Sequence, residues 1–176
     1  MSYEPVRYWW HRFGPKFANE IRKRRIGGMK SSNWKWHLDE VFVKINGERP
    51  YLWCAVDHEG EVLESYVTKK RDKKAALKFM KKAMRRYGSL KKIVTDRLRS
   101  YSAVIKELGC ENKQHTERWA DNRAENSHLP FRRRERDILR FRRMRNLQKF
   151  ALIHASFHNH FNSDRYLCKR CNFKLN

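Results

Sequence analysis

Residues 72–96 read DKKAALKFMKKAMRRYGSLKKIVTD, and on this stretch the fold class turns. Asp72 is a good helix N-cap residue, because its short carboxylate can accept from the amides that the first turn leaves unpaired. After it Ala76, Phe79, Met80, Ala83, Met84 and Tyr87 recur at three- and four-residue steps and form one apolar face. Gly88 suits the C-cap. KKIVTD then has the apolar centre and short length of a buried strand. A strand reached through a helical crossover is predicted to lie parallel to an earlier one.

Upstream, WHLDEVFVKI (36–45) has strand character and ends at Asn46-Gly47, a strong hairpin signal. YLWCAV (51–56) is a second strand, 57–60 a second turn and EVLESYVT (61–68) a third strand, so the three form an antiparallel meander. Downstream, SYSAVIKELG (100–109) reads as a helix and NKQHTE (112–117) as a last short strand. A long helix is predicted from Asn126, with Pro130 near its start and an apolar stripe through Phe150, Ile153, Phe157 and Phe161. In front of the strands, Val6, Trp9, Trp10, Phe13 and Phe17 predict a helix broken near Gly14-Pro15. IRKRRIGGMKSS (21–32) reads as a basic linker. The order is β-β-β-α-β-α-β-α behind a helical piece, which is an α/β fold with a mixed sheet.

Lys and Arg number 42 against 19 Asp and Glu in 176 residues, for a formal charge of +23. Such an imbalance points to a polyanionic partner, nucleic acid before an acidic membrane surface. No apolar run approaches the roughly 20 residues of a membrane span, and the N-terminus lacks the apolar core of a secretory signal. Without such a signal, Cys54, Cys110, Cys168 and Cys171 read as reduced thiols of a cytosolic protein. Cys168-x-x-Cys171 lacks the second pair that a zinc ribbon requires.

In so basic a chain, carboxylates at strand ends and helix starts stand out. Asp39 lies in the first strand, Asp96 ends the fourth, and Glu125 opens the last long helix. If the first and fourth strands are neighbours, Asp39 and Asp96 converge, and a helix across that edge can deliver Glu125. Phosphoryl transfer on DNA uses such a cluster: two Mg²⁺ ions about 4 Å apart activate the attacking oxygen and stabilise the leaving one, held by carboxylates and water. Taken singly, an aspartate after a strand is also an ordinary turn residue, and Asp121 rivals Glu125 for the third place. Strand alternation turns Glu40 away from Asp39, so only one of the two is expected as a ligand.

The words WHLDEVFVKINGERPYLWCAVDHEG, KKRDKKAALKF, IVTDRLRSY and DNRAENSHLPFRRRERDILRFR resemble the catalytic domain of bacterial DDE-type insertion-sequence transposases, in the insertion sequence six family. The resemblance covers roughly residues 5–162. It implies an RNase H-like sheet flanked by helices, with Asp39, Asp96 and Glu125 as the triad that binds Mg²⁺ or Mn²⁺, two ions in all. It implies DNA cleavage that frees a 3′-OH at the transposon end, then attack of that 3′-OH on target DNA. Its expected partners are double-stranded DNA, at transposon ends and target, and a second subunit in a homodimer, with no membrane. Its expected location is the bacterial cytoplasm at the nucleoid.

The expected divisions are a remnant of a helix-turn-helix region with its linker at 1–31, the catalytic domain at 32–162 and a divergent tail at 163–176. The earlier helices of the family's DNA-binding region have no counterpart before residue 5. A shortened copy is therefore expected, and the competing reading is a catalytically silent protein that binds DNA or poisons dimers.

FRRRERDILRFRRMR (131–145) places Arg132, Arg133, Arg134, Arg136, Arg140, Arg142, Arg143 and Arg145 close together, expected on one helix with Ile138, Phe141 and Met144 on its apolar side. Arginine bonds phosphate oxygens through two donors, so this run is expected on the DNA backbone, with Arg97, Arg99 and Arg123. Trp119 is a candidate for stacking on an unpaired base, or a core residue. His128, three residues after Glu125, is a candidate to assist the metal site or orient a phosphate. Arg7 and His11 are candidates for base contact if the first helix enters a groove, while Trp9 and Trp10 are expected to pack the N-terminal helices. His154, His158 and His160 have metal-like spacing, but their apolar helix favours packing or exposure.

Overall fold

The computed structural model describes residues 3–28, 35–58, 60–88, 91–96, 98–116, 122–137 and 141–161, with the backbone alone at 3, 25–28, 99 and 122–125. Five strands form one sheet: β1 (Lys35–Phe42), β2 (Tyr51–Val56), β3 (Val62–Thr68), β4 (Lys92–Thr95) and β5 (Gln114–His115). Their spatial order is β3-β2-β1-β4-β5. β1 runs antiparallel to β2 and parallel to β4, and β4 runs parallel to β5. The meander and the parallel fourth strand are as the sequence predicts.

Local chemistry sets most boundaries. Asn46 (φ 50°) and Gly47 (φ 87°) both take the left-handed conformation that a tight hairpin requires, and the chain closes there through an Ile45–Glu48 bridge. Asp72 Oδ1 accepts from Ala75 N at 2.8 Å and starts α2 (Lys73–Tyr87). That helix ends at Gly88 with φ 79°. After β4, α3 (Arg99–Glu107) leads through a 3₁₀ turn (Glu111–Lys113) into β5.

Each face of the sheet has its own core. Trp36 and Leu38 of β1, with Trp53 and Ala55 of β2, pack under Ala76, Phe79 and Met80 of α2 and Tyr101 and Ile105 of α3. On the opposite face Leu52 and Cys54 meet Phe131 of α4 (Asn122–Asp137) and Leu147 and Ala151 of α5 (Met144–Phe161). The alternation of Leu52, Trp53, Cys54 and Ala55 between the two cores is the period-two pleat buried on both sides.

At the N-terminus, α1 (Tyr3–Gly28) is continuous, with Pro15 inside it. The break predicted at Gly14-Pro15 does not occur, and residues 21–28 of the stretch read as a linker are helical. Gly14 is instead a point of close approach to α5: a Cβ built there would stand 3.2 Å from Ile153 Cδ1. Trp10 packs on Phe150 and Phe157 of α5, whereas Trp9 stacks on Phe13 and remains 56% exposed.

The single long helix predicted from Asn126 is two helices, α4 and α5. Pro130 is in the ninth position of α4, well past its first turn. Phe141, expected on the apolar side of one helix, is buried in the connection between the two.

Candidate metal centre and nucleic-acid interface

The parallel register Leu38↔Thr95 sets the next residues, Asp39 and Asp96, side by side. β4 ends at Thr95, so beyond Leu38 the strand β1 has no neighbour on that side. The gap so formed is where the acids gather. Single carboxylate oxygens of Asp39, Glu40 and Asp96 lie within 4.8 Å of one another. The sequence leads to the expectation that only one of Asp39 and Glu40 is a ligand, and the fold brings both to the cluster. The pleat does send them to opposite faces, but both border the same gap.

Each acid is held in place. Asp39 Oδ1 accepts from Glu40 N at 2.8 Å, and Asp39 Oδ2 lies 3.0 Å from His128 Nε2. Asp96 Oδ1 accepts from Leu98 N at 3.1 Å, as an aspartate does in a turn after a strand. Arg71, in the β3–α2 loop, pairs through Nη2 with Glu40 Oε1, and the same nitrogen lies 3.6 Å from Asp96 Oδ2.

Burial dominates the electrostatics of the cluster. Burial raises the pKa of Glu40 to about 7, against Arg71 and with help from Asp96. Burial also raises that of Asp96, opposed by the Leu98 amide and Arg71 and reinforced by Asp39. Burial opposes the charge on His128, but neighbouring Cys54 and Asp39 outweigh it and carry its pKa to about 10. Oxygen donors of this number and charge fit a hard divalent cation, and a cationic nitrogen of Arg71 already stands between two of them.

Glu125 is in α4, three residues before His128, and α4 packs on β1 and β2. Its side chain lies outside the described residues, as do Arg97, Trp119, Asp121 and Arg140 and the side chains of Arg99 and Arg123. Cys168 and Cys171 also lie outside them.

The arginine run is divided by the break between α4 and α5. Arg133 and Arg136 are exposed on α4, and Arg142, Arg143 and Arg145 are exposed at and beyond the break. Arg132 is committed within the fold: it donates to Phe42 O at 2.7 Å and pairs with Glu135 at 2.6 Å. Arg134 pairs with Asp137 at 3.5 Å. On α1, Arg7 is exposed and 3.9 Å from Glu4, while His11 is 3.4 Å from Lys149 Nζ. His154 and His158 stack on one another beside Phe150 and Phe131, which is packing rather than the geometry of a metal site.

Sequence reasoning passed over Arg71 and set Glu40 aside. The signal for Arg71 was its place in KKRD, a basic run directly before a helix cap that fixes the backbone.

Residues 33–164 match a family described as "DDE domain". The chain is 29% identical over 133 residues to the transposase for insertion sequence-like element IS431mec of Staphylococcus aureus, a match covering 73% of this chain and 58% of that relative. The same figures hold for the transposase for insertion sequence element IS257 in transposon Tn4003, also from Staphylococcus aureus. The chain thus spans less than two thirds of the length of these curated relatives. Among solved structures it resembles a chain of the simian T-cell lymphotropic virus intasome in complex with PP2A regulatory subunit B56 gamma (TM-score 0.60, 19% identity, 78% of this chain and 52% of that one). It also resembles the HTLV-2 integrase catalytic core domain in complex with magnesium (TM-score 0.54, 19% identity, 70% and 86%). The shared feature is the fold, the RNase H-like sheet of an integrase catalytic core.

Proposed function

We propose, for a chain that belongs to the DDE-type transposases of the insertion sequence six family, that it cuts DNA at the end of an insertion sequence and transfers the freed 3′-OH to target DNA. The observation that carries this reading is the pairing of Asp39 and Asp96 at the open edge between parallel strands β1 and β4. In this reading Asp39, Asp96 and Glu125 hold two divalent cations, Mg²⁺ or Mn²⁺. When bound, the ions supply activation of the attacking oxygen and stabilisation of the leaving one.

The chain's own residues prepare that site. The Leu98 amide fixes Asp96, and the Glu40 amide and His128 fix Asp39. Such preorganisation lowers the reorganisation needed as charge develops in phosphoryl transfer. Glu125 is one helical turn before His128, and residues three apart share a helix face, which supports its place as the third ligand. The exposed Arg133 and Arg136 bind phosphates along the duplex, without sequence preference. A water and then a DNA 3′-OH serve as nucleophiles, so no covalent protein–DNA intermediate forms. The expected assembly is a homodimer holding two transposon ends in the bacterial cytoplasm at the nucleoid. The chain's expected divisions are a remnant of a helix-turn-helix DNA-binding region with its basic linker at 1–31, the catalytic domain at 32–162 and a divergent tail at 163–176. Among the described residues no helix is long and apolar enough to cross a membrane.

The test uses a labelled, pre-cut DNA end with a free 3′-OH, supercoiled plasmid as target and Mg²⁺ or Mn²⁺. Joined product from the parent chain but not from Asp96→Asn is expected. Equal joining by both removes Asp96 from the site. Tight, salt-sensitive DNA binding with no joining by either protein instead favours a DNA-binding protein without catalysis.

A further inference from the structure

One cation already occupies the carboxylate cluster, and it belongs to the chain. Arg71 Nη2 pairs with Glu40 Oε1 and lies 3.6 Å from Asp96 Oδ2, so a single nitrogen bridges an acid of β1 and the acid that follows β4. The Glu40 side chain is only 2% exposed. A carboxylate so buried needs a positive partner to remain ionised. The Arg71 side chain is 39% exposed, so its outer part borders solvent.

We propose that Arg71 is a built-in counter-cation that competes with the divalent metal: it holds Glu40 and Asp96 together in the metal-free protein, and leaves them when the metal binds. The proposal rests on the metal-dependent reading above and adds to it a positioning residue and a switch. Two cations cannot share these oxygens cheaply, because like charges a few ångströms apart repel strongly where water is scarce. The fold allows the exchange. Asp72 caps α2 through Ala75 N and anchors the backbone next to Arg71, so the guanidinium can move by side-chain rotation alone. Its neighbours Lys69 and Lys70 are exposed. A released Arg71 therefore joins a cationic strip, KKR, at the rim of the cluster, where a DNA phosphate can accept its two parallel donors. In this way metal binding converts a residue that holds acids into one that holds DNA.

The experiment measures Mn²⁺ binding to the DNA-free chain, by the electron paramagnetic resonance signal of free Mn²⁺, for the parent, Arg71→Gln, Arg71→Lys and Asp96→Asn. Arg71→Gln is expected to bind Mn²⁺ about tenfold more tightly than the parent, as loss of a competing ion pair at a partly buried site requires. Arg71→Lys, which keeps the charge on a shorter and less far-reaching group, is expected between the two. In EDTA, Arg71→Gln is expected to melt about 2–4 °C below the parent, and saturating Mn²⁺ closes that gap. Equal or weaker Mn²⁺ binding by Arg71→Gln overturns the proposal. If that variant fails to fold, Arg71→Lys decides, and affinity no tighter than the parent's overturns it. Loss of binding in Asp96→Asn shows that the metal site stands even where the Arg71 prediction fails. A parent that binds no Mn²⁺ at millimolar concentration overturns both together.

Discussion

Lys149 of α5 donates from Nζ to the backbone carbonyl of His11 at 3.0 Å. That carbonyl is the acceptor that Pro15, four residues on, cannot serve because it has no N–H. A donor from another helix thus completes the turn, and α1 continues through a residue that ordinarily kinks a helix. One residue earlier, Gly14 lets the two helices approach at Ile153. Gly14→Val is expected to destabilise the chain by about 1–3 kcal/mol through overpacking. In the Ile153→Ala background the same substitution should cost less, because the obstructing side chain is gone. Urea unfolding of the four proteins gives the coupling, and strict additivity would show that α1 does not lean on Ile153.

The outer edge of β3 is sealed by two amide side chains of α5. Gln148 accepts from Val67 N at 2.8 Å and donates to Ser65 O at 2.9 Å. Asn159 accepts from Val62 N at 3.1 Å and donates to Val62 O at 2.8 Å. Unpaired edge groups invite pairing with another chain. Gln148→Leu is therefore expected to cost about 1–3 kcal/mol and to increase concentration-dependent light scattering. A variant as stable and as monodisperse as its parent would mean that water seals this edge equally well.

Arg132 and its neighbours have separable roles. Arg132 bonds Phe42 O and Glu135, so Arg132→Ala is expected to lower stability by about 1 kcal/mol. Arg133 and Arg136 are exposed. Replacing both by Ala should leave the melting temperature unchanged. It should also reduce the slope of log affinity for DNA against log salt by about 2, roughly 0.9 for each phosphate no longer neutralised. An unchanged slope would move the DNA path away from α4.

Acid should weaken the packing of α5. Burial, His158 and Arg134 lower the pKa of His154 from 6.5 to about 4, and burial lowers that of His158. The unfolded chain then takes up these protons at a higher pH than the folded one. The stabilisation from neutral His154 is complete above about pH 6.5 and is lost as pH falls toward 4. Other groups titrate in the same window, so the comparison is between variants. His154→Phe, beside Phe131 and Phe150, should show a shallower fall in urea midpoint over this range. An identical fall in both proteins would place the titration elsewhere.

Much of this molecule was legible from residues that act locally. Asn46-Gly47 turns a hairpin, Asp72 caps a helix and Gly88 ends it, because each depends on its own backbone preference and on neighbours a few positions away. The crossover from α2 to β4 then required a parallel pair, which set Asp39 beside Asp96. Other features needed the assembled fold. Pro15 reads as a breaker until Lys149 is seen to supply the missing donor. The arginine run reads as one helix, whereas the fold divides it between α4 and α5, with Phe141 buried in the connection. Strand alternation separates Glu40 from Asp39, and only the early end of β4 opens a gap bordered by both. Nothing local to Arg71 marks its partners, and it becomes the partner of two acids only when the β3–α2 loop brings it beside Glu40 and Asp96. Sequence determined the elements because their signals are short-range. Tertiary structure decided the charge partners because a buried carboxylate or an unserved carbonyl takes whatever donor the folded chain brings within reach.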